Sequence, residues 1–407
     1  ENTKKSLNNL SEKDILDLKK KLNGAIDGMS KNLIEMSGFL YHNPEIAGEE
    51  FKAARLITDE LEKNGFKVKK GISGLTTSFI AVYNCSGKGP SLSFLSEYEA
   101  LPNLGHGSGH NITSIISAGA AIALSRIADC LSGRIICIGT PGESKFNSKL
   151  LMVNDGIFNN IDVVMISQAG DRHCINPIFL ANDGIQFTFI GKASHAAAAP
   201  QEGINALDAV IMLFNSVHAL RQQLNEDARI HGIVSKGGEA VNIIPDLAIA
   251  QFSIRAKTRK YLNEIVEKVK NCARGAAIQT GAKLKISFFE KSVDDYAGNE
   301  LLIREYSRNL TELGEAIDPE PKLSGSSDIG NLSYLMPSIC PVVKIAPEGV
   351  GLHTLEMAQS SFSKTGTHGL IAGTKALSMT GMRILADNDF YNAVRMSFKK
   401  LKNGLKI

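Results

Sequence analysis

The 407-residue chain contains no tryptophan, and aromatic residues make up only 6% of it. No aromatic cage or base-stacking platform stands out. Its six cysteines, Cys85, Cys130, Cys137, Cys174, Cys272 and Cys340, are scattered and form no CxxC pair. That excludes a disulfide scaffold and suits small buried apolar residues in a reducing compartment. No apolar run reaches the roughly 18 residues of a spanning helix, so no membrane role is expected. Lys plus Arg number 45 against 42 Asp plus Glu, a net charge of +3. With no basic block longer than Lys67-Val68-Lys69-Lys70, a nucleic-acid partner has little electrostatic support. The first residues, Glu1 to Lys21, lack the apolar stretch of a signal peptide, and a cytoplasmic location is expected.

What remains is an ordinary globular mixture, 43% hydrophobic and 21% charged, long enough for about two or three domains. Ile15, Leu18, Leu22, Leu33, Met36 and Leu40 recur at helical spacing until Asn43-Pro44. A second helix opens near Glu49 and stops at Gly65. Apolar runs at 78–83, 91–95, 133–138 and 162–166 read as strands covered on both faces, and the Ala/Ile-rich stretch 113–127 as a buried crossover helix. The order then changes to strand 184–189, helix 205–220, strands 229–234 and 248–255, helix 262–276 and strand 283–289. This β-α-β-β-α-β pattern predicts a ferredoxin-like sandwich. The expected organisation is therefore an α/β body from 1–183 and 296–407, with a lid of 184–295 inserted in it.

Five loops could carry chemistry: Ala100 to Asn111, Gly139 to Ser144, Ile166 to Asp171, Gly191 to Pro200 and Gly351 to Thr354. The first three follow strands, where ligands gather in open α/β sheets. Taken singly, each has a plain reading. A Gly-rich turn can satisfy its own histidines, and a lone Glu after a strand is usually solvated or a helix cap.

Together with His42-Asn43-Pro44-Glu45, Glu49-Glu50, Gly237 to Pro245 and Gly325 to Ser333, these loops closely resemble one dinuclear-zinc metallopeptidase and amidohydrolase family. It holds the aminoacylases, indole-acetyl-amino-acid hydrolases and Xaa-Arg dipeptidases. The resemblance implies a zinc-peptidase-like α/β body with an inserted lid that pairs two subunits, hence a homodimer.

In that family a Cys-x-His pair, a Glu-Glu pair and two further histidines hold two metal ions, and the first Glu is the general base. The resemblance places His110, Glu143 and His353 at kept positions. Three ligand positions depart: Ser108 stands for Cys, Ser144 for the bridging Glu and Gln168 for His. Neutral hydroxyl and amide oxygens are poor transition-metal ligands, and two compensating negative charges are gone. No dinuclear zinc centre and no other cofactor is therefore expected, with room at most for one weakly held divalent ion on His110 and His353.

The resemblance further implies that His195 reaches a neighbouring subunit's site to stabilise an oxyanion. Asn242 would contact substrate, and Arg255 would do so or be structural. The expected activity is amide or acyl chemistry on a small acyl-amino-acid or peptide-like substrate, by hydrolysis, transfer, condensation or cyclisation. Glu143 would serve as general acid or base, among Ser108, His110, Ser144 and His353 and freed from a neighbouring carboxylate. Two other expectations stand beside it. One is a metal-dependent hydrolase with substitute ligands such as Asp171, His106 or His173. The other is a non-catalytic homologue that binds a small carboxylated amide.

Overall fold

The computed structural model describes residues 11–319 and 325–405. Two compact units divide them. The first comprises 11–177, 297–319 and 331–405, and the second 178–296 with 325–330. The second unit thus begins earlier than the expected 184, because its first strand already opens at Ala181, and it also takes in 325–330. Among the described residues, no helix is long and apolar enough to cross a membrane, and the six cysteines are free thiols.

In the first unit, helix Glu12–His42 opens on a capping box. Asp14 N donates to Ser11 Oγ at 3.2 Å, and Ser11 N returns a bond to Asp14 Oδ2 at 3.0 Å. Its stripe of Ile15, Leu18, Leu22, Ile26, Leu33 and Leu40 is buried. Helix Phe51–Lys63 ends at Gly65, whose φ of +86° is the left-handed cap the sequence predicts.

The strands are β1 (Lys67–Lys70), β2 (Phe79–Asn84), β3 (Gly87–Ser96), β4 (Ser132–Gly139), β5 (Val163–Met165), β6 (Gln168–Gly170), β7 (Ala181–Ile190), β8 (Arg229–Lys236), β9 (Leu247–Ala256), β10 (Lys283–Phe288), β11 (Ser338–Ile339) and β12 (Val342–Lys344). Among the described residues the main sheet runs β1-β2-β4-β3-β5-β11. Strands β4, β3, β5 and β11 are parallel, while β1 and β2 are antiparallel to their neighbours. Helix His110–Ser125, which connects β3 to β4, is buried along its whole length, as the crossover reading requires. Because β3, β4 and β5 point the same way, their carboxyl ends share one edge, and the segments holding Glu97, Glu143 and Gln168 leave from that edge.

The second unit is a four-stranded antiparallel sheet in the order β10-β7-β9-β8. Helices Ala206–Leu220 and Arg259–Thr280 pack Ala209, Val210, Leu213, Leu262, Ile265 and Val269 into one core with Phe187, Phe189 and Phe252. Strand alternation produces this. In β9 every second residue is buried, from Ala248 to Ala256. It is the ferredoxin-like sandwich read from the sequence.

Candidate active site

Glu97 is the centre of the cluster at the carboxyl edge. It follows β3 directly and is 2% exposed. Lys149 Nζ reaches its Oε1 at 2.5 Å, Gln168 Nε2 donates to its Oε2 at 2.7 Å, and His110 Nε2 lies 3.6 Å from Oε2. Burial alone would raise this carboxyl. The charges of Lys149 and His110, with the bonds from Lys149 and Gln168, outweigh it and hold Glu97 below the ordinary carboxylate range.

A carboxylate oxygen of Glu143 lies within 4.8 Å of one on Glu97. The expectation that Glu143 is free of a neighbouring carboxylate is thereby corrected. The replacement of its sequence neighbour by Ser144 left Glu97, from another strand, beside it.

The turn that carries Glu143 is held by a residue from the start of helix Phe51–Lys63. Buried Glu50 accepts from Gly142 N at 2.9 Å and from Thr77 Oγ1 at 2.8 Å, so the strand end and the turn are fixed to one carboxylate. Glu143 then opens the one-turn helix Glu143–Phe146 and is half-buried. Ser144 is exposed, and its N–H donates to Glu99 Oε1 at 3.0 Å. Glu99 is pushed up by burial, against the nearby His110 charge and the hydrogen bonds from Ser144. Its Oε2 is buried with no hydrogen-bond partner among the described residues.

His110 is the first residue of the buried helix, and its Nδ1 faces the Glu99 carbonyl at 3.1 Å. A carbonyl only accepts, so Nδ1 carries the hydrogen and Nε2 is directed to Glu97. Gly109 makes this entry with φ +70°, and a Cβ there would sit 2.4 Å from Ala169 Cβ and 2.7 Å from Ile345 Cδ1. Gly109→Ala combines a left-handed alanine with overpacking. It is expected to cost about 2–4 kcal/mol, read from the urea midpoint, and to lower activity by displacing His110.

Half-buried Ser108 belongs to the same loop, and His353 is tied to it, because His353 N donates to Gly107 O at 2.9 Å. His353 holds φ +61°, a strained conformation for a non-glycine residue, and is exposed. Desolvation of the ring and the charge of His110 both lower its pKa.

The remaining predicted residues lie in the second unit. His195 is exposed, and its Nδ1 accepts from Ala197 N at 3.3 Å and Ala198 N at 3.2 Å. The neutral ring therefore bears its hydrogen on Nε2, as an outward donor. Asn242 is its neighbour, with Ala196 N donating to Asn242 O at 3.0 Å. Arg255 is not brought to them. It pairs with Asn182 and Arg229 eight residues along β9 from Leu247, a span of about 26 Å at strand rise.

The substitute metal ligands are engaged elsewhere. His106 Nε2 donates to Leu40 O at 3.1 Å, and burial with the His110 charge lowers its pKa to about 4. Buried His173 pairs with Glu315 at 3.3 Å, and Asp171 Oδ2 accepts from Gly349 N at 2.9 Å.

Sequence reasoning missed Lys149. It is fully buried, inside helix Ser148–Asn154 just after the Glu143 turn. A single cation at the head of the apolar run Leu150-Leu151-Met152-Val153 was the available signal. Its presence decides how far the residues suit the two metal ions of the resembled family. The carboxylate best placed to take an ion already holds a buried ammonium. Gln168 offers that carboxylate its amide nitrogen, and Ser108 and Ser144 bring neutral donors. A paired metal centre does not fit this set.

Fold and site together define an α/β peptidase-type body interrupted by a dimerisation-type domain. Residues 182–280 match the peptidase dimerisation domain of the M20 family. The mouse (Mus musculus) Xaa-Arg dipeptidase is 32% identical over 401 residues, 94% of this chain and 92% of that one. One subunit of the Escherichia coli (strain K12) p-aminobenzoyl-glutamate hydrolase is 29% identical over 314 residues, 72% of this chain and 65% of that one. A putative aminohydrolase structure from methicillin-resistant Staphylococcus aureus superposes with a TM-score of 0.77 at 16% identity, covering 90% of this chain and 99% of that one. A Bacillus subtilis dinuclear metal binding peptidase from the M20 family gives 0.71 at 17% identity, covering 88% and 99%. The chain belongs to the M20 peptidase family.

Proposed function

We propose that the protein hydrolyses the amide bond of a small acyl-amino acid or dipeptide, with Glu143 as general base and acid and without a paired metal centre. The observation that carries this reading is the position of Glu143. It is half-buried on the turn after β4, at the shared carboxyl edge, and faces the ionised Glu97. There it would take a proton from water as the C–O bond forms, then return it to the nitrogen as the C–N bond breaks. Charge developing on the carbonyl oxygen would meet the Ser108 hydroxyl and the His353 ring.

The Nε2–H of His195 would join them from a second copy of the chain, with Asn242 contacting the substrate. Exposed Ile211 and Met212 on helix Ala206–Leu220, and exposed Ile233 and Val234 on the edge strand β8, support pairing through the second unit. The substrate class follows the relatives, a dipeptidase and a p-aminobenzoyl-glutamate hydrolase.

The test is a panel of dipeptides and N-acyl-amino acids assayed before and after chelation, beside element analysis of the mildly purified protein. Turnover is expected to survive chelation, with less than about one equivalent of zinc, manganese or cobalt per chain. Loss of turnover on chelation and its return on adding zinc would sink the metal-free part of this reading. Absence of turnover, with ligand-dependent thermal stabilisation instead, would favour a binding protein.

A further inference from the structure

We propose that Phe146 is the wall on which the substrate's acyl group sits, so that a flat, uncharged aromatic acyl group is preferred over a small one such as acetyl. This deepens the hydrolytic reading above and rests on it for the position of the scissile carbonyl. Phe146 closes the single helical turn Glu143–Phe146. Side chains three residues apart on such a turn are neighbours on one face, about 5–6 Å apart at Cβ. The ring therefore stands beside the Glu143 side chain. A carbonyl carbon attacked by water held on Glu143 has its acyl group within reach of that ring.

Two glycines make room for it. A Cβ on Gly48 would lie 3.0 Å from Phe146 Cε2 and Cζ, and one on Gly142 would lie 2.3 Å from Cδ2. Gly142 N is bonded to Glu50 Oε1, so the segment around Gly48 and the Glu143 turn form one seat. Even so, the ring is only half-buried. Lys145 Nζ stands 5.2 Å from its centroid, but Lys145 is exposed and turns aside at the loss of one weak contact.

Apolar surface is left open on two neighbouring segments as well. Exposed Ile46 is bridged through its backbone to Ala100, at the start of the loop that ends on His110. Exposed Leu352 precedes His353, whose N–H is bonded to Gly107 of the same loop. Apolar side chains open to water beside a reactive carboxylate gain when an apolar group covers them, and one ring against another gains by offset stacking. An acetyl methyl covers little of this surface. An aryl ring covers far more.

The probes are N-(2-naphthoyl)glycine and N-acetylglycine, both uncharged at the acyl end. With no tryptophan in the chain, naphthoyl fluorescence is read against little protein background. Binding is measured by anisotropy, with N-acetylglycine as competitor, in full-length Glu143→Gln to keep the probes intact. The naphthoyl compound is expected to bind at least about tenfold more tightly, and Phe146→Ala in the same chain to shrink that preference at least about fivefold. Phe146→Leu should fall between, and it decides the matter if the alanine variant does not fold.

Equal affinity for the two probes would overturn the proposal. So would a loss of affinity by the same factor for both in Phe146→Ala and Phe146→Leu, which is what a merely structural ring would produce. Turnover separates this from the hydrolytic reading. If the wild type cleaves neither compound while the binding preference holds, hydrolysis fails and the aryl seat stands. If it cleaves both with equal kcat/KM, the seat fails and hydrolysis stands.

Discussion

Glu143→Gln is expected to lower kcat by roughly 10²–10⁴-fold, the usual contribution of a positioned general acid–base group. Gln is close to Glu in size and still offers a carbonyl oxygen, but it neither takes a proton from water nor returns one to an amine. Glu143 sits at the surface of the pocket, half-buried, on a turn whose geometry Glu50 and Gly142 fix independently. The substitution should therefore leave the fold intact and KM little changed, so that the loss falls on kcat. Steady-state kinetics on the best substrate of the panel, with circular dichroism as a control, checks it. Turnover within a few-fold of wild type would remove Glu143 from the chemistry.

The largest expected effect on stability is at Lys149. Lys149→Met leaves Glu97 buried and ionised without its partner, a loss of about 3–5 kcal/mol for a broken buried pair. Adding Glu97→Gln to the same chain removes the orphan charge and should recover most of that loss, because the cost lies in the unpaired carboxylate rather than in lost packing. Urea midpoints of the two single variants and the double variant close the cycle. A double variant as unstable as Lys149→Met alone would place the cost in packing instead. The sign with pH follows from Glu97. Its carboxyl is lowered in the folded chain, so its contribution is present above the ordinary carboxylate range and drains away as pH falls through the lowered value. The double variant should lose that acid-side slope.

The architecture was legible because its signals are local and redundant. Period-2 burial in β9, the apolar β3, β4 and β5, the Gly65 stop and the β-α-β-β-α-β order each point to the elements observed. The candidate site was legible only in part. Ser108, His110, Glu143, Gln168 and His353 stand in ordered motifs, so a resemblance finds them. Lys149 lies in no recognised loop, and Glu97, which the resemblance places with Glu99 at an acidic strand end in a supporting role, gives no sign in the sequence of its partner. Their pairing joins positions 52 residues apart in sequence, and only the shared strand edge brings them together. Arg255 shows the reverse case: a motif match whose position along β9 sets it far from Asn242. Periodicity reports which face a residue occupies, whereas the charge balance of a pocket depends on long-range contacts that periodicity does not encode.

One consequence follows from the buried helix His110–Ser125. Every residue of it is enclosed, and the site's imidazole is its first residue. Local fraying that would release His110 must therefore open the most protected segment of the domain, at a free energy close to that of global unfolding. The amides of this helix should exchange with solvent among the slowest in the molecule. On heating, the pocket should keep its shape until the whole body melts, so catalytic competence and tertiary structure are lost in one transition.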